Sequence, residues 1–220
     1  QVSSSSSLMI GILKAFNQLL FKGNVSLFFI LLLGFNLNVL ALIFIKNIIA
    51  VGRCRFFLES TKYRKVRLDK VLFIYRVKKT LTTAKSMLLT SIYQFLWNLT
   101  IIGGIIKHYS YLLVPYIIAE NPIISGKEAI DLSRKMMNGR KLEAFKLDLS
   151  LFPWYLLGVA TFQFSDLLFL NPYHQAILAE FYMNVRSECL EEDSSLAIYL
   201  NDRYLDGNIN NSYYPMDKFT

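Results

Sequence analysis

The run VSLFFILLLGFNLNVLALIFIKNIIAVG, residues 25–52, restricts this chain more than any other feature. About 20 consecutive, mostly apolar residues are enough to cross the hydrocarbon of a bilayer. Backbone placed in hydrocarbon must satisfy its own polar groups, so a single such run has to be helical. The rest of the chain meets the same demand. Of its 220 residues, 54% are apolar and only 18% charged, against about 25% charged in soluble domains. An all-α, polytopic membrane helix bundle is the expected fold. No cleavable signal peptide is visible, Gln1 is not an initiator residue, and Ser3 to Ser7 is low-complexity sequence.

Charge then orders the crossings. Apolar stretches lie at 8–22, 25–52, 86–106, 109–119, 149–171 and 173–187. The basic loop 53–85 holds eleven Lys/Arg against Glu59 and Asp69, and residues 127–146 hold six more. Short Lys/Arg-rich loops stay cytoplasmic. Two inner loops require that 86–121 cross twice or not at all. The favoured layout is a tight hairpin turning at Gly103-Gly104; the alternative is one long tilted helix. Asn171-Pro172 is expected to turn the last pair of spans, and residues 21–24 the first. The sum is about six spans in hairpins, with both termini in the cytoplasm. Residues 1–187 form one bundle domain on this reading, followed by an acidic tail, 188–220. That tail carries seven acids and two bases. It either stays solvated and flexible or docks on the basic loop by charge.

Within this frame, AIDLSRKMMNGRK (129–141) looks out of place. On a helical wheel Ala129, Ile130, Leu132, Ser133, Met136 and Met137 share one arc, with Lys127, Glu128, Asp131, Arg134, Lys135 and Asn138 opposite. Ser125 and Glu128 make a capping box, Asn138-Gly139 a left-handed stop, and Asp131 and Lys135 an i,i+4 pair. The pattern predicts a short interfacial amphipathic helix over 126–138. Its cations, with two just beyond it, are the candidate interfacial binding residues: Arg134, Lys135, Arg140 and Lys141. Anionic headgroups of the lipid bilayer are the expected partner, each cation contributing about 1 kcal/mol near an anionic leaflet; another membrane protein is the other.

Polar groups inside spans are costly and need a purpose. The candidate intramembrane polar residues are Asn36, Asn38, Gln94, Asn98, Asp166, His174 and Glu180. Hydrogen bonding between helices accounts for them structurally; a polar path for a substrate accounts for them functionally. Asp166 and His174 are placed to meet across the Asn-Pro turn. Glu180, among Ala179, Phe181 and Tyr182, needs a partner or a proton, and Arg186 is too distant along the helix to be an i,i+4 partner.

Four segments carry a resemblance: IIKHYSYLLVPYIIAENP (105–122), AIDLSRKMMNGRK (129–141), the LDLS and Trp154 of LDLSLFPWYLLG, and NPYHQAILAEFY (171–182). In this order and spacing the stretch from Trp97 to Tyr182 resembles the bacterial membrane-protein family catalogued as domain of unknown function 975. GRCRFF (52–57) is similar to its upstream part. The resemblance implies a multi-pass helical protein and no established activity or cofactor. The chain departs from the family at Gly103-Gly104, at Leu151-Phe152-Pro153 and at Phe162, Gln163 and Phe164.

Patterns for HExxH, GxSxG and P-loop chemistry are missing, and no catalytic, cofactor-binding or metal-binding residue is assigned. Cys54 and Cys189 are expected to stay reduced in the cytoplasm. Positive-inside topology explains the basic loop without nucleic acid. The leading expectation is a non-enzymatic accessory or assembly partner in the bacterial cytoplasmic membrane. The alternatives are a small transporter or export/immunity factor with a polar intramembrane path and, more weakly, a membrane-embedded lipid enzyme.

Overall fold

The computed structural model describes residues 10, 11, 14, 15, 18, 25–63, 66–160, 169–200 and 202. It is 86% helical, and among the described residues there is no strand. The chain divides into two compact units, 1–45 and 46–220.

In the first unit α1 (Val25–Ala41) is apolar all round. Leu27, Phe29, Ile30, Leu31, Leu32, Leu33, Phe35 and Leu37 are all exposed. Asn36 folds its amide back onto the Leu32 carbonyl at 2.8 Å.

The second unit is built around α2 (Asn47–Lys62). Its buried positions Ile48, Val51, Gly52, Arg55, Leu58 and Glu59 recur every three or four residues, which gives one inward stripe. A 3₁₀ turn (Leu68–Leu72) and the short α3 (Phe73–Arg76) fold back onto α2. α4 (Thr80–Asn98) and α5 (Ile101–Tyr111) follow, then α6 (Val114–Glu120), with Pro115 in its first turn where the missing N–H breaks no helical bond. α6 is the centre of the unit, with every residue except Pro115 buried. α7 (Gly126–Met136), α8 (Lys141–Ala160) and α9 (Asn171–Glu192) complete it, and a 3₁₀ turn (Ser194–Ile198) lies against α9.

Several expectations change here. Residues 86–121 do form a hairpin, not one long helix. The turn is at Leu99-Thr100, and Gly103 and Gly104 lie inside α5. The glycines serve the close approach of the arms: a Cβ on Gly104 would come within 2.8 Å of the Asn98 amide oxygen. Since α4 begins at Thr80, both arms approach 30 Å at 1.5 Å per residue. Asn171-Pro172 is no turn but the start of α9, with Phe169 and Leu170 already helical. The 53–85 segment is not an open loop, because α2 continues through Lys62 and α4 begins at Thr80.

Two helical stretches, Ser26–Lys62 and Ile101–Glu120, are long and apolar enough to cross a membrane by length and composition. Among the described residues the count of six is not reached. α9 carries His174, Glu180 and Arg186 and is charged at its end. The stretches at 8–22 and 149–171, and the turn at 21–24, lie wholly or partly outside the described residues.

Candidate functional site

α7 forms as the wheel predicts. Ser125 accepts from the Glu128 backbone N–H, and the Glu128 side chain accepts from the Ser125 N–H, so the capping box is closed. These bonds hold the Glu128 carboxyl below its usual range. Gly139 adopts φ +81°, the left-handed stop. Ala129, Ile130, Leu132, Ser133 and Met136 are buried, and Ser133 donates to the Ser110 carbonyl of α5 at 2.8 Å. The apolar face is thus used against the bundle, and the charged face looks outward.

The four candidate binding cations are largely engaged within the protein. Arg134 pairs with Asp131 at 3.2 Å, taking the place expected for Lys135. Lys135 reaches Asp193 at 2.7 Å, and Arg140 reaches Glu188 and Glu192 at 2.9 and 3.3 Å. The side chain of Lys141 lies in the electrostatic field of Lys107, as does that of Arg134. Asp193 also accepts from Ser195, and with Lys135 as the first cause its carboxyl is drawn from 3.8 to about 2. A depressed carboxylate stabilises above its unfolded pKa and loses that contribution as pH falls through the folded one. The Lys135–Asp193 contact is therefore expected to hold above pH 3.8 and open on acidification toward about 2. Carboxyl NMR titration of Asp193 checks this, with K135A returning the midpoint toward the ordinary value.

The strongest constellation is buried and ionic. Arg55, 0% exposed, donates through Nε to Glu59 at 2.8 Å and through Nη1 to Asp202 at 2.7 Å and the Ala119 carbonyl at 3.2 Å. Its guanidinium lies 4.7 Å over the Phe73 ring, and Lys70 reaches Glu59 at 2.8 Å. Beside it Glu120, at the end of α6, accepts from the Tyr182 hydroxyl and from Arg186 at 2.7 Å. Arg186 also donates to the Leu200 carbonyl, and Asn121 to the Tyr199 carbonyl at 3.1 Å. Tyr116 stacks on Tyr182 at 5.4 Å. About 10 Å³ of open volume separates the two halves, bounded by Leu58, Glu120, Arg186 and Asp202. Three cations (Arg55, Lys70, Arg186) thus face three carboxylates (Glu59, Glu120, Asp202). Neutrality lets such a cluster exist away from water, where a lone charge would not.

A second polar centre joins α5, α8 and α9. His174 Nε2 is 2.9 Å from Asp148 Oδ1, the Tyr109 hydroxyl donates to Asp148 Oδ2 at 3.0 Å, and the Tyr155 hydroxyl is 3.4 Å from His174 Nδ1. His174 therefore has Asp148 as its acid; Asp166, the expected one, lies outside the described residues. Gln94 donates to Asn98 at 2.8 Å and to the Gly104 carbonyl at 3.1 Å, tying the hairpin tip. Asn38 is exposed on α1. Glu180 lines a groove of about 480 Å³ with Ser60, Leu147 and Asn184. Among the described residues of the second unit, the Gln94–Asn98 pair, His174 and Glu180 occupy separate places. Sequence reasoning missed Arg55, Asp148 and Asp202. Asp148 carried a usable signal, as the last acid before a long apolar run; the others carried none within their own neighbourhoods.

No curated protein and no solved structure matches the chain. One family model, described as Protein of unknown function (DUF975), matches residues 99–189. That segment includes α5 to α8, the Asp148–His174 centre and the Glu120–Arg186 pair. Over that segment, less than half of its length, the chain is similar to the DUF975 family of proteins of unknown function.

Proposed function

We propose that this chain is a non-enzymatic accessory or assembly protein of the bacterial cytoplasmic membrane. In this reading its apolar surfaces lie in the bilayer and its charge-paired end faces the cytoplasm. Exposed apolar side chains gather at the α4–α5 turn (Leu99, Ile101, Ile102) and along α8 (Leu149, Phe152, Trp154, Leu156, Val159). Large exposed apolar patches mark contact with lipid or protein. The ionic cluster belongs to the other end of these helices, where α2 and α6 terminate. Multi-pass topology with both termini inside accounts for this polarity.

One observation favours an accessory role over transport. A transporter gathers its polar side chains around a site near mid-membrane, and the described candidates of the second unit, Gln94, Asn98, His174 and Glu180, are dispersed. The outward face of α7, with Lys127, Asp131, Arg134 and Lys135, is the contact surface in this reading. The test is purification of the full chain in mild detergent. A stoichiometric protein partner is expected, lost on R134E/K135E while the helical content stays unchanged. Substrate flux catalysed by the purified chain in proteoliposomes, with no partner present, would overturn it. The Asp148–His174 centre is the observation that favours a second reading, a small transporter with a proton-linked path. H174Q abolishing such flux would establish that reading instead.

A further inference from the structure

We infer that the groove between α2, α8 and α9 is a binding site for a phospholipid with a primary-amine headgroup, whose ammonium pairs with Glu180. The inference rests on the membrane placement proposed above. The groove measures about 480 Å³ and opens sideways from the bundle. Leu147, Ile177 and Phe181 supply an apolar wall; Ser60, Glu180 and Asn184 supply the polar part.

The donor and acceptor balance picks out the ligand. Ser60 Oγ donates its hydrogen to the Phe57 carbonyl at 2.7 Å, and Thr61, which also lines the groove, donates to the Leu58 carbonyl at 2.9 Å. Both hydroxyls have therefore spent their hydrogens within α2 and offer only lone pairs. Glu180 makes no ion pair among the described residues, and a carboxylate offers acceptors only. Asn184 alone adds N–H donors to this lining, and its one negative charge with the lone pairs of Ser60 and Thr61 calls for a cation bearing several N–H groups. A primary ammonium has three, whereas a quaternary ammonium has none.

The surroundings complete a zwitterion. Lys146 is exposed and adjoins the lining residue Leu147 in sequence, whereas Lys62 lines the small cavity beside Glu120 and Asp202. Lys146 makes no ion pair among the described residues and is available to a headgroup phosphate. The apolar wall gives the acyl chains a path along α8 toward exposed Leu149 and Phe152. An ethanolamine-type phospholipid matches each part: ammonium to Glu180, phosphate to Lys146, chains to the wall. Phosphatidylglycerol lacks the ammonium, and phosphatidylcholine lacks its N–H donors.

The experiment is native mass spectrometry of the full chain in detergent, with phosphatidylethanolamine, phosphatidylcholine and phosphatidylglycerol in equal amounts. Wild type is expected to retain phosphatidylethanolamine at least about fivefold over each of the others, a preference near 1 kcal/mol. E180Q should reduce that preference to about one while leaving the circular dichroism spectrum unchanged. Equal retention of the three lipids by wild type overturns the inference without any variant, so misfolding of E180Q would not shield it. Undiminished preference in well-folded E180Q also overturns it, as does a photo-crosslinker at Asn184 capturing a protein in place of lipid. Recovery of the chain as a detergent-free soluble monomer would instead defeat the membrane placement itself.

Discussion

Replacing Asp202 with Asn is expected to lower the unfolding free energy by about 3 kcal/mol, the low end of the range for breaking a buried ion pair. The substitution is isosteric, so what it removes is charge. Arg55 is fully buried and holds two carboxylates, Glu59 and Asp202. Lys70 also draws on Glu59. With Asp202 neutral, fully buried Arg55 keeps only Glu59, on which partly exposed Lys70 also draws, and the cluster gains a net positive charge. For a chain of this size the change corresponds to a fall of about 6–12 °C in Tm, measurable by circular dichroism in detergent. The pair need not be stabilising against an apolar alternative. Replacing both partners with apolar residues of similar volume is often neutral, so R55M/D202L should recover much of the loss. A D202N protein with unchanged Tm would mean that the Arg55 cluster is hydrated in solution.

Gly52→Ala should be at least as damaging, through geometry and not charge. A Cβ at Gly52 would stand 1.8 Å from the Val71 carbonyl oxygen and 2.7 Å from its carbonyl carbon, where an ordinary contact needs about 3.5 Å. Both obstacles are backbone, so no rotamer change relieves the clash. The 3₁₀ turn must lift off α2, taking Lys70 from Glu59 and Phe73 from Arg55. Overpacking costs about 1–3 kcal/mol where side chains can yield; here the expected loss lies at or above the top of that range. Gly34 is the control. A Cβ there meets nothing within 4 Å, so G34A should be neutral or stabilising by up to about 1 kcal/mol through helix propensity. Thermal unfolding of the two variants side by side separates close approach from propensity.

What could be read from the sequence was what is decided locally. The capping box of α7 lies within four residues, its stop within two, and its apolar arc within three turns; all three are present. The helical character of 25–52 followed from apolar content alone. The hairpin between two basic segments followed from charge parity, but its turn was misplaced by a few residues. Glycine pairs mark turns in water, whereas Gly103 and Gly104 let two helices approach each other. Long-range pairing was hidden. Arg55 counted as one of eleven loop cations and Asp202 as one of seven tail acids; charge offered docking of tail on loop as an alternative, but nothing singled out this pair 147 residues apart. The same holds for His174, whose acid is 26 residues upstream on α8. Charge tallies locate segments relative to a bilayer, but they cannot say which charges will be withdrawn from solvent in matched sets.

The distance between Arg55 and Asp202 has a consequence for biogenesis. A ribosome must add 147 residues after the arginine before its second carboxylate exists. Until then the nascent bundle carries a guanidinium that the finished protein seals from solvent. Chains interrupted before that point leave Arg55 with one of its two carboxylates, a defect that proteases able to sample transient opening are equipped to find. Closure of the core thus reports that translation has passed Asp202.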